Sequence, residues 1–276
     1  MSCPDRPGIV AAVTTFVAEH GGNVVDLQQH TDHTDGVFFQ RVQFELEAAV
    51  SGEELVRSFT PVADSYGMDW SLHYLDSPPR LAVLASKEPH CLQDLLTRRR
   101  TGELAADVAV VVSNHPDHAD LAAWFGVPYV HLPVVDGDRS RQEREVQRVL
   151  ERERVDLLVL ARYMQILSSE LCSRWRNRII NIHHSFLPAF QGARPYQQAH
   201  DRGVKLIGVS AHYVTAELDA GPIIDQDVLR VSHRDDVTDL QRKGRDLEVA
   251  VLARAVRAHL SHRILVYGNK TVVFDD

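Results

Sequence analysis

Arg178-Ile179-Ile180-Asn181-Ile182-His183-His184-Ser185-Phe186-Leu187-Pro188 decides the fold. An apolar run carries straight into an amide and two imidazoles, which reads as a buried strand ending in chemistry. Leu206-Ile207-Gly208-Val209-Ser210-Ala211-His212-Tyr213-Val214 is a second such run, and the acidic turn Glu217-Leu218-Asp219-Ala220-Gly221-Pro222 follows it. Working outward, Leu81 to Leu84, Val108 to Val112 and Val155 to Leu160 are further Val/Ile/Leu-rich segments with few polar interruptions, separated by helical stretches. Strands of this kind are buried on both faces, so the spacing predicts a doubly wound, mostly parallel α/β sheet covered by helices. In such sheets ligands sit outside the carboxyl ends of the strands. Asp246 to Leu260, with Leu247, Val251, Leu252, Ala255 and Val256 on one side, is the clearest amphipathic helix.

A smaller module comes first. Cys3-Pro4-Asp5-Arg6-Pro7-Gly8 is a turn that opens a helix, along which Ile9, Val13, Phe16 and Val17 recur at helical spacing until Gly21-Gly22. Asn23 to Asp32 and Val37 to Leu46 read as strands around an Asp35-Gly36 hairpin signal. Ser51-Gly52-Glu53-Glu54 caps a second helix with Leu55, Phe59, Val62 and Ala63 on its apolar face, and Met68 to Tyr74 supplies another strand. This is the order of a ferredoxin-like α+β unit that lacks its first strand. The paired prolines of Asp76-Ser77-Pro78-Pro79-Arg80 mark a linker, which places the domains at 1–75 and 80–276.

The 276 residues carry a net charge of -8, with 44% apolar and 25% charged side chains. That balance argues against nucleic acid or an anionic membrane as the main partner. No apolar run approaches the roughly 18 residues that a membrane span needs. Three cysteines, few and widely spaced, fit a reducing cytoplasm with neither a disulfide framework nor a CxxC motif.

Among candidate chemical groups, Asn181 and His183 leave the same face of an extended strand, because its period is two. Asn181 could simply terminate a strand. Its amide could also donate to a carbonyl oxygen that gains charge, and a well-placed donor of that kind lowers a barrier by roughly 3 kcal/mol. Imidazole is the side chain that titrates nearest neutral pH, which makes His183 the acid/base candidate. His184 points to the opposite strand face and reads as structural. Asp219 could bond its own turn backbone, or orient His183 and take a proton from water. Tyr163-Met164-Gln165-Ile166-Leu167 reads by spacing as packing at a helix start. Ser86-Lys87-Glu88-Pro89-His90 follows a strand but holds no glycine and so is no phosphate cradle. His30/His33 and His115/His118 have three-residue spacing without a metal-binding frame, so no metal is expected.

Asn-x-His, then Ser-x-Leu-Pro, then the Asp-x-Gly turn resembles the formyltransferase fold that uses 10-formyltetrahydrofolate, and within it the hydrolytic formyltetrahydrofolate deformylases. Transferases of that fold usually carry Pro where this chain has His184. Val83 to Lys87, His90-Cys91-Leu92, Ser113 to His118, Tyr163 to Leu167 and Gly268-Asn269-Lys270-Thr271 resemble deformylase segments as well. The resemblance implies hydrolysis of 10-formyltetrahydrofolate to tetrahydrofolate and formate, with formate serving purine synthesis. It makes Asn181, His183 and Asp219 catalytic, and it assigns Met164, Gln165, Ile166, Leu167, His184, Ser185, Val214 and Glu217 to substrate binding. The Tyr163 to Leu167 backbone would bond the pterin ring while Ile166 and Leu167 pack on it. The folate is the substrate, and no cofactor is implied. Cys-Pro-Asp-Arg-Pro-Gly-Ile-Val resembles the start of an ACT domain, which implies an amino-acid effector such as glycine or methionine and a homotetramer. ACT domains carry a strand before this string, where only Met1 and Ser2 stand here. Two rival readings remain: a formyltransferase acting on an amine such as glycinamide ribonucleotide, and an amino-acid-responsive regulator with a degenerate site.

Overall fold

The computed structural model describes residues 1–46, 51–75, 77–189 and 194–275, and Asp76 of the expected linker lies outside them. The chain divides into one unit of Met1–Asp76, His262–Tyr267 and Val272–Asp276, and a second of Ser77–Ser261 and Gly268–Thr271.

The first unit contains β1 (Ser2–Pro4), α1 (Ile9–Glu19), β2 (Gly22–Asp32), β3 (Val37–Leu46) and α2 (Gly52–Tyr66). Ser51 caps α2 by accepting the Glu54 N–H at 3.2 Å. Val13, Phe16 and Val17 of α1 bury against Leu55, Phe59 and Ala63 of α2, over one face of an antiparallel sheet in the order β1-β3-β2. Two expectations are corrected here. The first strand is present, although only three residues long: Ser2, Cys3 and Pro4 pair with Phe39, Phe38 and Val37, so Cys3 and Pro4 belong to a strand rather than a turn. The expected strand at 68–74 contributes only a single bridge, Ser2 to Asp69. Its neighbour β1 is too short to template more, and Met68, Trp70 and Leu72 are fixed by packing on the helices instead.

The second unit alternates strands and helices. In chain order these are β4 (Arg80–Ala85), α3 (His90–Thr101), β5 (Asp107–Ser113), α4 (Ala119–Trp124), β6 (Tyr129–His131), α5 (Arg139–Arg152), β7 (Leu157–Ala161), α6 (Ser169–Arg174), β8 (Ile179–His183), α7 (Pro195–Arg202), β9 (Leu206–Tyr213), β10 (Ile223–Arg230) and α8 (Val237–Leu260). A short pair, β11 (Ile264–Tyr267) and β12 (Lys270–Val273), ends the chain. The large sheet runs β10-β9-β8-β7-β4-β5-β6. β4 pairs in parallel with both β5 and β7, so the chain winds outward from β4 on one side and returns to β7 on the other. The point where that order reverses is where open α/β sheets bind ligands. β9 and β10 run antiparallel, which the sequence reading did not anticipate. Among the described residues, no helix is long and apolar enough to cross a membrane.

α8 begins at Val237, well before the expected Asp246, and a capping box between Asp236 and Asp239 fixes its start. Gly244 sits inside this helix, where glycine ordinarily costs about 1 kcal/mol relative to alanine. A Cβ there would stand 1.9 Å from the Tyr196 hydroxyl, which donates to Glu248 Oε1 at 2.8 Å. Gly244→Ala is therefore expected to lose about 1–3 kcal/mol by overpacking, against the usual gain from alanine in a helix. Urea unfolding measures this, and a rise in stability would contradict the packing.

Candidate active site

β8 sets the geometry. Asn181 and His183 leave one face of the strand, and β9 pairs beside it with Asn181 opposite His212. His212 Nδ1 lies 2.9 Å from the Tyr213 carbonyl, which can only accept, so Nδ1 carries the ring proton. Nε2 is then the acceptor, and it takes one Asn181 amide N–H at 3.2 Å. Burial pushes the His212 pKa down, which favours this neutral form. The Asn181 side chain is thereby oriented through one N–H, which leaves its second N–H to serve a ligand.

Asp219 arrives from the turn after β9. It adopts a left-handed backbone, φ 56°. A Cβ at Gly221 would lie 1.8 Å from the Tyr213 carbonyl oxygen, so only glycine lets this turn fold back so closely on β9. Asn269 donates to the Ala220 carbonyl at 2.9 Å and Thr271 to the Ile223 carbonyl at 2.6 Å, bracing the turn from the Gly268–Thr271 segment. Asp219 Oδ1 lies 3.3 Å from His183 Nδ1 and 3.8 Å from His212 Nε2. Burial pushes the Asp219 carboxyl up, but the hydrogen bond and charge of His183, with smaller effects of His212 and His184, outweigh it and hold the group below the usual carboxylate value. His183 Nε2 is buried without a hydrogen-bond partner among the described residues. A buried imidazole nitrogen in that state suits a reacting group.

His184 turns to the other side, as its place on the strand predicts. Its ring stacks on that of His183 with centroids 5.2 Å apart, and its Nδ1 is hydrogen-bonded by Arg162. Arg162 follows β7 and also adopts a left-handed backbone, φ 61°. Its Nε lies 3.4 Å from Glu248 Oε2, and Glu248 contacts His90 Nε2 at 2.7 Å. His184, Arg162, Glu248, His90 and Tyr196 together line a cavity of about 460 Å³.

The expected substrate-binding residues are spread more widely. Ser86, after β4, accepts the Met164 N–H at 3.0 Å and donates to Asn114 Oδ1 at 2.7 Å, tying together the loops after β4, β5 and β7 at the reversal point. Gln165, Ile166 and Leu167 line a shallow cleft with Tyr163, and Met164 and Ile166 are each 60% exposed. Leu167 and Val214 pack on the same core cluster. Ser185 uses its hydroxyl on the Ala189 carbonyl at 2.7 Å, and the Glu217 side chain is exposed while its carbonyl accepts from Thr215. Sequence reasoning missed His212, Arg162 and Glu248. His212 alone left a signal, a polar residue ending the apolar run of β9. Ser86→Ala should leave the Met164 N–H unpaired and loosen the loop. KM for a ligand held there should rise about fivefold with little change in kcat, from the loss of roughly 1 kcal/mol. Steady-state kinetics test this, and an unchanged KM would contradict it.

Among the described residues, the donors of His90, Cys91 and Glu248 lie within 4.8 Å of one another, whereas the His30/His33 and His115/His118 pairs form no such group of three. The Glu248 carboxylate is already engaged by Tyr196, His90 and the Arg162 guanidinium, and burial pushes the Cys91 thiol well above its ordinary value. That donor set fits an ion network among Glu248, Arg162, His90 and Tyr196 better than a cation.

The formyl transferase family model matches residues 79–256, and the ACT domain model matches residues 1–55. The formyltetrahydrofolate deformylase of Synechocystis is 51% identical over 99% of this chain and 96% of its own length. That of Bacillus subtilis is 47% identical over 100% and 92%. The chain belongs to the formyltetrahydrofolate deformylase family. A crystal structure of the family member from Pseudomonas syringae superposes with a TM-score of 0.96 at 49% identity, covering 99% of this chain and 92% of that one. The glycinamide ribonucleotide transformylase 1 of Symbiobacterium toebii superposes less well, with a TM-score of 0.70 at 32% identity, over 75% of this chain and 99% of its own. Deformylases thus match the whole chain, ACT module included, while this transferase matches three quarters of it.

Proposed function

We propose that this chain hydrolyses 10-formyltetrahydrofolate to tetrahydrofolate and formate. The observation that carries the reading is the convergence of Asn181, His183 and Asp219, with His183 held through Nδ1 by Asp219 and its Nε2 buried and unpartnered. Membership of the deformylase family supports the choice of substrate.

Water is a poor nucleophile at neutral pH and needs its proton taken as it attacks. Asp219, ionised and only 10% exposed at its side chain, takes that proton. The formyl oxygen becomes an oxyanion and accepts the free Asn181 N–H together with His183 Nε2–H. Donors fixed in place before the reaction are effective here because nothing must reorganise. His183 then protonates the folate nitrogen as the carbon–nitrogen bond breaks. The proton on Asp219 returns to His183 Nε2 by way of water, because Nδ1 keeps its own proton toward Asp219, and formic acid departs and gives its proton to solvent. Side chains and water account for each proton, so the chemistry calls for neither metal nor cofactor.

The loop of Met164 to Leu167 and the cleft beside it are assigned to the pterin ring, a flat heteroaromatic group that needs backbone polar atoms beside an apolar wall. The ACT module is assigned to a small amino acid such as glycine or methionine, acting within a homotetramer. The three free, buried cysteines fit a cytoplasmic enzyme. Incubation with 10-formyltetrahydrofolate alone, followed by incubation with glycinamide ribonucleotide, tests the reaction. Equimolar formate and tetrahydrofolate without any amine is the expected result. Release that requires the amine would make the chain a transferase, and no turnover in either mixture would favour a regulator.

A further inference from the structure

We infer that His184 holds the attacking water through a neutral Nε2–H, and that Arg162 and Glu248 are positioning residues that keep it in this form. The inference rests on the hydrolase reading.

Arg162 Nη1 is in hydrogen-bond contact with His184 Nδ1, and an arginine has only donors. Nδ1 must therefore present its lone pair, and the proton of the neutral ring resides on Nε2. A second proton, on Nδ1, would set an imidazolium against the guanidinium. Arg162 in turn is held by Glu248, whose side chain is 1% exposed and which also accepts the Tyr196 hydroxyl and meets His90. A buried carboxylate with three partners does not wander, so the arginine is a fixed wedge and not a mobile surface cation. Gly244 belongs to the same device, since only the absence of a Cβ lets Tyr196 reach Glu248.

Position makes the fixed tautomer useful. One face of the His184 ring stacks on His183, and the residue also lines the cavity of about 460 Å³, so it stands between the acid/base group and that cavity. A neutral N–H accepted by a water oxygen leaves that oxygen a lone pair for the formyl carbon and leaves its protons for Asp219. A charged donor in the same place would oppose the positive charge that His183 carries at the oxyanion stage. The surroundings favour neutrality. Burial and the Arg162 charge, with His183 adding to them, outweigh Glu248 and Asp219 and bring the His184 pKa to about 4. Tyr196, with its ring centroid 6.0 Å away, and His90 stand nearby, and Glu88, Arg194 and Arg245 line the same cavity among the described residues.

Three variants and one spectrum test the inference, with kcat and KM measured on the full chain from about pH 5 to pH 9. His184→Ala should lower kcat about 10- to 100-fold with KM for the folate unchanged, the loss expected when a reacting water is no longer held. His184→Gln, which keeps a neutral N–H donor, should restore most of that loss. Arg162→Gln should move the acidic limb of the kcat profile to higher pH than in the wild type, because His184 loses the charge that opposes its protonation while burial still holds its pKa down. Because that variant leaves Glu248 buried without its cation, ring-nitrogen NMR of the wild-type chain provides an independent readout, with Nδ1 expected to be unprotonated at neutral pH. Wild-type kcat in His184→Ala, equal damage from alanine and glutamine, or a proton on Nδ1 would each overturn the inference while wild-type hydrolysis stands. Absence of formate release by the wild type would instead overturn the hydrolase reading itself.

Discussion

Asp219→Asn is expected to lower kcat about 10³-fold while KM for 10-formyltetrahydrofolate stays within about threefold. The substitution isolates the carboxylate charge. Asp219 occupies a left-handed backbone conformation, φ 56°, and asparagine is among the few residues that tolerate it, so the turn is preserved. The amide oxygen can still accept from His183 Nδ1, so the imidazole keeps its orientation. What disappears is the base that takes a proton from water and the charge that stabilises imidazolium at 3.3 Å. Folate binding at the proposed Met164 to Leu167 loop should not draw on either, because that loop is held through the Met164 N–H on Ser86, whose hydroxyl in turn bonds Asn114. Steady-state kinetics with a folding check by circular dichroism decide the matter. Wild-type kcat, or a loss confined to KM, would remove Asp219 from the proton path.

His183→Ala should be comparably damaging, with kcat down about 10²- to 10⁴-fold, since it removes both the oxyanion donor and the acid for the leaving nitrogen. It also carries a signature in stability. In the wild type the Asp219 carboxyl is held below its ordinary value, because the bond and charge of His183 outweigh the cost of burial. A depressed folded-state pKa contributes stability that is present above the unfolded value of about 3.9 and is lost as pH falls through the folded value. Without His183, burial is left largely unopposed and the folded pKa rises. The contribution then changes sign, so the carboxylate weakens the fold above about pH 4. The stability gap between wild type and His183→Ala, measured by urea unfolding, should therefore be wide at neutral pH and narrow toward about pH 3. A gap independent of pH would show that Asp219 and His183 are not coupled.

The grouping of Asn181, His183 and Asp219 was legible because its signals are local. A strand period of two places Asn181 and His183 on one face, and Leu218-Asp219-Ala220-Gly221-Pro222 can hardly be anything but a tight turn. The buried parallel strands were legible for the same reason, as unbroken apolar runs. What escaped notice depends on register or on distant partners. His212 reaches Asn181 only because β9 runs antiparallel to β8, which places the two residues opposite each other. β10 carries Asp225, Gln226 and Asp227 at the sheet edge, so it lacks the apolar run of an inner strand. The first half of α8 is dominated by charged residues such as Arg242, Lys243 and Arg245 and interrupted by Gly244, so its helical pattern emerged only beyond Asp246. β1 is legible only in three dimensions, since three residues carry no period. Glu248 looked like one more acid on a helix, and its partners Arg162, His90 and Tyr196 come from three separate segments.

The central claim is that water, and no amine, receives the formyl group. Single-turnover reaction with 10-formyltetrahydrofolate in water enriched in heavy oxygen, with mass analysis of the formate, tests it most directly. The account predicts formate that has gained heavy oxygen from the solvent, released in step with tetrahydrofolate and abolished by Asp219→Asn. Formate without solvent oxygen, or a formyl group recovered only on an added amine, would contradict it.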